Sequence, residues 1–469
     1  MKFLRKALIL FLALCMIFAL AACGMAKKND VDYAPADDPK PSSSRVESSL
    51  AYDDSSVGYV SKETMPADGG AYIAGEPSGS APSGYPADGE GYEEIYDEEK
   101  PVYEAGLITA SAWNENENYE FWKKLFRDGQ GEDNGKFFDY YKNNNWGFDS
   151  TKRVSVTVKN GEALVCGATV ACVSENGELL FAAKTGADGM VYLFPQVDEG
   201  KVIVTSGEHT ANADFSKENR ELEVVLDGSD DAENLIQIML VIDVTGSMGD
   251  ELTYFQTELT DVINRIANAN DGAKIELALL FYRDTGDDEK FAYYDFVNVN
   301  DQEGLALQTR KLAGQVASGG GDYPEAVDEA LQLAMNKAWS DTASTKIVFH
   351  LLDAPPHENG DGTQKNYEKC FENAVISAAE QGVRICPILC SGADELCEYV
   401  MRQASIYTGG TSIFVTDDSG IGGEHLDPDI PDMVVEQLND LLVRLVNGYH
   451  TGTFDEPVEW QPKTANQEQ

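Results

Sequence analysis

The apolar run Leu235–Ile242 is the clearest pattern in the chain. Every residue in it except Gln237 is apolar, which predicts a strand buried on both faces, as in a parallel sheet. The polar residues Asp243, Thr245 and Ser247 follow at alternate positions. An amphipathic helix is predicted next, because apolar residues recur there at helical spacing: Leu252, Phe255, Leu259, Val262, Ile263 and Ile266. The pattern thus predicts a strand, a polar loop and a helix in direct succession.

Strands and helices alternate in the same way from residue 233 to residue 448. Further strands are predicted at 275–282, 291–297, 346–352, 384–390 and 411–415. Helices are predicted at 302–316, 324–338, 367–381, 395–408 and 431–447. Repeated strand–helix units build a mostly parallel sheet with helices on both faces. We therefore expect residues 233–448 to form an α/β domain with a doubly wound sheet, like a Rossmann fold.

Residues 151–229 change to a period of two. About seven short strands are predicted, and Asn160-Gly161, Asn176-Gly177 and Asp188-Gly189 mark turns between them. This spacing is typical of a β-sandwich. The segments Cys166–Val170 and Lys184–Gly189 resemble transthyretin-like or carboxypeptidase-regulatory-like repeats of surface proteins. That resemblance implies a spacer or an immunoglobulin-like support without chemistry of its own.

The remaining segments are distinguished by composition. Residues 107–150 are rich in aromatics, which favours packing against a neighbouring domain, with a sugar-stacking surface as the alternative. Residues 24–106 are rich in Ser, Pro, Gly and acidic residues and poor in aliphatic ones, so we expect a disordered linker. Residues 449–469 are expected to form a polar tail.

The N-terminus carries a targeting pattern. Basic residues precede the apolar run Ala7–Leu20, which is short for a membrane span. The run ends in Leu20-Ala21-Ala22-Cys23, which resembles the lipobox of a bacterial lipoprotein signal over residues 1–23. The resemblance implies lipid attachment at Cys23 and an extracytoplasmic protein anchored to the cell membrane. An ordinary signal peptide or a membrane anchor is the alternative.

Charge and cysteine content narrow the function classes. The formal net charge of −46 argues against nucleic acid as a partner. Six cysteines follow Cys23, and an even number in an exported protein permits disulfides, although free buried thiols fit equally well. These six are Cys166, Cys172, Cys370, Cys386, Cys390 and Cys397.

Oxygen-bearing side chains are predicted to meet at one edge of the α/β sheet. Asp243, Thr245 and Ser247 follow the first strand, and Asp353 follows the strand at 346–352. A glycine-rich loop carrying Asp322 opens a helix between them. The carboxyl ends of parallel strands meet at one edge, where ligands bind. Hard oxygen donors there favour a divalent cation, namely Mg²⁺, with Ca²⁺ or Mn²⁺ as alternatives.

These loops resemble the metal-ion-dependent adhesion site of the von Willebrand factor type A domain. Asp243, Thr245 and Ser247 match the first loop of that site and Asp353 matches the third, whereas Asp322 stands where the family usually has Thr. The resemblance implies a cation with one coordination position for an acidic group of a protein partner. The extra acid leads us to expect tighter metal binding and weaker partner binding than the usual site has.

Two other functions stay open from the sequence. An envelope assembly factor that recruits a protein partner is one alternative to adhesion. A metal-assisted hydrolase is the other, but the Gly-x-Ser-x-Gly and P-loop patterns are absent from the sequence, so we expect no enzymatic activity. His357 could act as a base, although its place after two prolines favours a solvated loop residue. Arg283 and Asp284 could pair with each other, and neither is assigned a metal role.

Overall fold

The computed structural model describes residues 105–129, 134–143, 146–270, 272–360, 365–431 and 433–461. The predicted signal, Cys23 and nearly all of the predicted linker lie outside the described residues. Within the described part, no helix has the length and apolar character needed to cross a bilayer.

Strands and helices alternate through the second half of the chain, as the hydrophobic pattern predicts. The strands are β1 (Thr109–Trp113), β2 (Val154–Asn160), β3 (Ala163–Leu164), β4 (Thr169–Val173), β5 (Leu179–Lys184), β6 (Met190–Leu193), β7 (Gly200–Ser206), β8 (His209–Phe215), β9 (Glu221–Leu226), β10 (Glu233–Asp243), β11 (Lys274–Tyr282), β12 (Phe291–Asn298), β13 (Ala343–Leu352), β14 (Arg384–Leu389), β15 (Ser412–Val415) and β16 (Glu436–Gln437). The helices are α1 (Tyr119–Lys124), α2 (Phe138–Lys142), α3 (Gly249–Ala269), α4 (Gln302–Ala313), α5 (Val327–Met335), α6 (Tyr367–Gln381), α7 (Glu395–Thr408) and α8 (Leu438–Thr451).

The large sheet has the order β12-β11-β10-β13-β14-β15-β1-β16. The strands from β11 to β15 in this order are parallel to their neighbours, and β12, β1 and β16 pair antiparallel at the two ends. Helices α3, α4 and α8 cover one face, whereas α5, α6 and α7 cover the other. The prediction of a doubly wound, mostly parallel sheet is therefore confirmed.

Alternation along β10 shows how this sheet is buried on both faces. Ile238 and Leu240 belong to the core beneath α3 and α8, whereas Met239 and Val241 face the opposite core. The strand is apolar at nearly every position because both faces meet helices.

The aromatic-rich segment contributes its own strand to the large sheet. β1 pairs antiparallel with β15 and β16, and the buried carboxylate of Glu258 on α3 accepts the N–H groups of Gly106, Leu107 and Ile108 at 2.8–3.2 Å. Trp122 and Phe137 are fully buried in the core that contains Tyr399 of α7. The aromatic side chains thus serve packing against the α/β domain.

Residues 154–226 form two four-stranded sheets. One contains β3, β2, β6 and β9, and the other has the order β5-β4-β7-β8. Val154, Val156 and Val158 are buried with Val202 and Val204 in a shared core, which explains the period of two. That core continues into the α/β domain, where Phe194 stacks on Tyr407 of α7 with ring centroids 4.3 Å apart.

Two helix predictions are wrong at their starts. The helix predicted at 431–447 begins at Leu438 because Glu436 and Gln437 are extended and pair with β1. It runs to Thr451, into the predicted tail, and ends at Gly452 with φ 74°. The helix predicted at 324–338 covers only Val327–Met335, since Glu325 forms a parallel bridge with Pro356.

All six described cysteines are free.

Candidate functional site

Asp243 lies at the carboxyl end of β10 and is completely buried. Its Oδ1 accepts hydrogen bonds from the Thr245 backbone N–H at 2.8 Å and the Thr245 hydroxyl at 2.7 Å. Its Oδ2 is buried and has no hydrogen-bond partner among the described residues. The Thr245 hydroxyl lies 3.3 Å from that of Ser247, which is exposed. The first loop, residues 243–248, thus brings together a buried carboxylate oxygen, the buried Thr245 hydroxyl and the exposed Ser247 hydroxyl.

The glycine loop, residues 316–325, is fastened to the first loop through the backbone. The Ser318 N–H donates to the Val244 carbonyl at 2.9 Å, and the Gly246 N–H donates to the Gly319 carbonyl at 3.2 Å. Gly320 has φ 75°, and a Cβ there would lie 3.0 Å from Glu325 Oε1. A larger residue would be strained at this position by its backbone conformation and by the crowding.

Asp353 follows β13 and opens the third loop, residues 353–357. It is 3% exposed, and the Ser247 hydroxyl donates a hydrogen bond to its carboxylate. Asp353 Oδ1 has no hydrogen-bond partner among the described residues. β10 and β13 are adjacent and parallel, which is why the two aspartates end at the same edge. The structure therefore brings together Asp243, Thr245, Ser247 and Asp353.

The electrostatics of this set disfavour two ionised carboxylates. Burial raises the pKa of Asp243 from 3.8 to about 7, and the charge of Asp353 adds to the rise. Burial also raises the pKa of Asp353, against the hydrogen bond from Ser247. Such shifts mark sites where charged groups are held close together in a low-dielectric environment.

Asp322 and Glu325 occupy different places in the glycine loop. Asp322 is exposed, and its charge acts on His357. Glu325 is 3% exposed, and its Oε2 has no hydrogen-bond partner among the described residues. Burial raises the pKa of Glu325 to about 9, and the charges of Asp243 and Asp284 contribute.

Sequence reasoning did not identify Glu325. The local signal is only an acid after Tyr323-Pro324. Its burial depends on the bond from its N–H to the Pro355 carbonyl at 3.0 Å, which joins two loops that are distant in the sequence.

The interpretation of His357 as a solvated residue is wrong. Its Nε2 lies 2.7 Å from Asp284 Oδ1, and the two side chains are 12% and 8% exposed. The suggested pair between Arg283 and Asp284 is also wrong, because Arg283 donates to the carbonyls of Ser318 and Val316 at 2.9 and 3.0 Å. Arg283 thus supports the glycine loop, and His357 links the third loop to the end of β11.

The His357–Asp284 pair predicts a pH-dependent contribution to stability. The hydrogen bond that His357 donates to the Asp284 carboxylate raises the pKa of His357 above 6.5, and burial opposes the rise. Burial also acts to raise the pKa of Asp284, but the bonds from His357 and from the Thr285 backbone lower it below 3.8. The contribution is therefore complete between about pH 4 and 6.5 and is lost as the pH rises through the raised pKa of His357.

We expect His357→Gln to lower the free energy of unfolding by about 1.5–3 kcal/mol at pH 6 and by less at pH 9. Urea unfolding at both pH values measures the difference. His209→Gln is the matched control, because His209 pairs with Asp227 on the small sheets and is 39% exposed. Equal losses for His357→Gln at the two pH values would contradict this interpretation.

The oxygen-bearing side chains at the carboxyl edge of the large sheet have the chemistry of a divalent-cation site. In the part of the chain that the structure describes, no group of three or more His, Cys, Asp and Glu side chains is arranged to hold a metal. The set instead combines two buried carboxylates with two hydroxyls, and each carboxylate has an oxygen without a hydrogen-bond partner there. Carboxylate and hydroxyl oxygens suit Mg²⁺, Ca²⁺ and Mn²⁺.

Comparisons with known proteins bear on the same region. Residues 237–369 match the family model of the von Willebrand factor A domain. A putative ariadne-like RING finger protein of Acanthamoeba polyphaga mimivirus is 30% identical over 196 residues, which cover 39% of this chain and 19% of that protein.

Two solved structures also match part of this chain at low similarity. The pilus adhesin SpaC from Lactobacillus rhamnosus GG, in its open conformation, is 12% identical with a TM-score of 0.33. The match covers 54% of this chain and 32% of SpaC. The conserved hypothetical protein BatB from Bacteroides thetaiotaomicron is 14% identical with a TM-score of 0.27, over 37% of this chain and 87% of BatB.

The match of residues 237–369 begins within β10 and ends in α6, so it includes the first loop, the glycine loop and the third loop. The sheet order and the alternation of strands and helices agree with that match. Residues 237–369 are therefore similar to a von Willebrand factor A domain.

Proposed function

We propose that this protein binds a divalent cation at the sheet edge and uses it to bind another protein. Asp243, Thr245, Ser247 and Asp353 would hold the ion. One observation carries the proposal: Asp243 Oδ2 and Asp353 Oδ1 are buried at the same edge and have no hydrogen-bond partner among the described residues. Buried carboxylate oxygens are normally paired, and a pair without partners is costly unless a cation compensates it.

A cation would offset the burial that raises the pKa values of both aspartates. Its positive charge favours the ionised carboxylates that the protein environment disfavours. Ser247 is exposed and Asp243 is fully buried, so the set has one side toward solvent. An acidic side chain of a partner could reach the ion from that side.

Mg²⁺ is the ion of this proposal, because few protein oxygens are present and Mg²⁺ usually keeps several waters. Ca²⁺ takes six to eight oxygen ligands and is the natural comparison, together with Mn²⁺. The ion would act as a binding group and not as a catalyst. His357, the histidine of the third loop, is paired with Asp284, and we propose no enzymatic step.

Asp322 adds an acidic group to a loop at this edge, and its substitution tests its effect on the metal. We expect Asp322→Thr to weaken Mg²⁺ binding by about threefold to tenfold, because removing a nearby negative charge lowers the attraction for a cation. Titration calorimetry of Mg²⁺ into both proteins measures this ratio. Asp214→Asn, an exposed acid on β8, is the control. Equal Mg²⁺ affinities for the wild type and Asp322→Thr would remove any metal role for Asp322.

The location proposed for this binding is the outer side of the cell membrane. The motif Leu20-Ala21-Ala22-Cys23 supports lipid attachment at Cys23, and residues 24–106 would act as a linker. Cys23→Ala should release the protein from the membrane fraction. Retention of the variant in that fraction would contradict lipid anchoring while leaving metal binding unaffected.

Partner binding is tested with immobilised protein and extracts of cell-surface and extracellular-matrix proteins. A partner that uses the ion should bind in Mg²⁺, dissociate in EDTA and fail to bind Asp353→Asn. Excess acidic peptide should compete, whereas the same peptide with amidated side chains should not. If bound proteins are the same with and without EDTA, metal-dependent protein binding is not the function. An assembly factor would instead retain envelope proteins in preference to matrix proteins.

A further inference from the structure

A polar cavity lies between the small sheets and the edge of the large sheet that is opposite the candidate metal site. It has a volume of about 200 Å³ and is lined by side chains of both parts of the chain. Lys184 belongs to β5, whereas Lys346 and Arg384 belong to β13 and β14. Lys346 and Asp353 lie seven residues apart along β13 and the third loop, or roughly 23 Å in an extended strand. The cavity is therefore separate from the candidate metal site.

Three cationic side chains converge on this cavity. Lys346 is only 4% exposed, and its Nζ donates to the Ser340 carbonyl at 2.9 Å. Lys184 Nζ donates to the Asp341 carbonyl at 3.3 Å. The Arg384 guanidinium lies over the Tyr449 ring at 4.6 Å, and its buried Nε has no hydrogen-bond partner among the described residues.

The polar contacts of these three cations among the described residues are to backbone carbonyls and an aromatic ring, and none is an ion pair with a carboxylate of the cavity lining. That is unusual in a chain with 81 acidic and 35 basic residues. The acids that line the cavity are exposed and lie at its rim: Asp230, Asp231 and Asp341. These rim carboxylates thus form no ion pair with the three cations of the cavity.

The direction in which the pKa of Lys346 is shifted agrees with this arrangement of charges. Burial lowers the pKa of Lys346 to about 8, and the positive charges of Lys184 and Arg384 lower it further, against the opposite effects of Asp341 and Cys166. Buried charges without a counter-ion are costly. A bound anion would supply a counter-ion and so offset that cost.

We propose that this cavity binds a small multivalent oxyanion of the phosphate or sulfate class. Two lysines supply point charges, and the planar fork of Arg384 matches the geometry of tetrahedral oxyanions. The hydroxyl-bearing residues Thr205 and Thr342 also line the cavity and can donate further hydrogen bonds. Because Lys184 comes from the small sheets and Lys346 from the large one, the anion would join the two parts of the chain.

Calorimetric titration with inorganic phosphate tests the proposal on the whole mature chain at pH 7 in metal-free buffer of constant ionic strength. We expect saturable binding of one phosphate per chain and competition by sulfate. Lys346→Gln and Arg384→Gln should each weaken binding by about tenfold or more. Lys159→Gln is the matched control, because Lys159 pairs with Glu223 outside the cavity.

Thermal unfolding gives an independent readout. Phosphate should raise the unfolding midpoint of the wild type and of Lys159→Gln more than that of Lys346→Gln, since only a bound anion stabilises by mass action. If Lys346→Gln does not fold, the half-buried Lys184→Gln takes its place. No saturable heat, or equal phosphate affinity for the wild type and the cavity variants, would overturn the proposal.

Discussion

Replacing Arg402 with alanine is expected to lower the free energy of unfolding by about 3–5 kcal/mol. Arg402 on α7 is completely buried between two buried glutamates. Its Nε lies 2.6 Å from Glu115 Oε1, and its Nη1 lies 2.6 Å from Glu398 Oε1. In the alanine variant, Lys136 would remain 2.7 Å from Glu398 Oε2 and the Trp113 indole N–H 3.1 Å from Glu115 Oε2, but the Oε1 atom of each glutamate would lose its charged partner. The cost comes mainly from those unpaired charges.

The same substitution should loosen the aromatic-rich segment. Glu115 lies directly after β1, and Arg402 also packs over the Trp122 and Phe137 rings at 5.3 and 5.4 Å. We therefore expect faster proteolysis between β1 and β2 in Arg402→Ala than in the wild type. Mg²⁺ binding should persist in the folded fraction, because Arg402, Glu115 and Glu398 are not among the residues that would hold the ion.

Urea unfolding measures the stability loss, with Arg265→Ala as the control. Arg265 also contacts two acids, at 3.4 and 2.6 Å, but it is 39% exposed. An exposed pair contributes about 1 kcal/mol or less. If Arg402→Ala destabilised the protein no more than Arg265→Ala does, the buried network would not hold the segment in place.

Replacing Asp243 with asparagine is expected to have opposite effects with and without metal. Wild-type protein in Mg²⁺ at a hundred times the dissociation constant should gain about 2.7 kcal/mol of stability. The variant should gain almost none, because the amide lacks the charge and one of the two carboxylate oxygens. Without metal at pH 8, the variant should be as stable as the wild type or more stable, since it removes a buried charge next to Asp353.

Thermal unfolding with and without Mg²⁺ measures both effects, and Asp214→Asn controls for loss of a carboxylate elsewhere. A variant that is less stable than the wild type in both conditions by the same amount would contradict the metal interpretation. Asp243 would then act as a structural acceptor for the Thr245 N–H and hydroxyl.

The sequence predicts the sheet and part of the site because their signals are local. The apolar run of β10 fixes a strand buried on both faces, and the residue after such a strand must lie at the carboxyl edge. Asp243 and Asp353 could therefore be placed together without a structure. Ser247 follows from its spacing on the first loop, and the structure places its hydroxyl against the Asp353 carboxylate.

Contacts between distant segments could not be predicted in this way. The strand β1 comes about 120 residues before β10 yet completes the same sheet, and nothing in its five residues specifies that partner. Glu325 is held by a bridge between the glycine loop and the third loop, and His357 is held by its contact with Asp284 after β11. The cavity around Lys346 depends on how the small sheets pack on β13 and β14, which periodicity does not encode.

Direct titration of Mg²⁺ into the metal-free mature chain tests the central claim most directly. The account predicts saturable binding of one ion per chain, with binding lost in Asp243→Asn and Asp353→Asn and retained in Asp214→Asn. No saturable binding of Mg²⁺, Mn²⁺ or Ca²⁺, or equal affinity in the wild type and the two aspartate variants, would contradict a metal centre at this edge of the sheet.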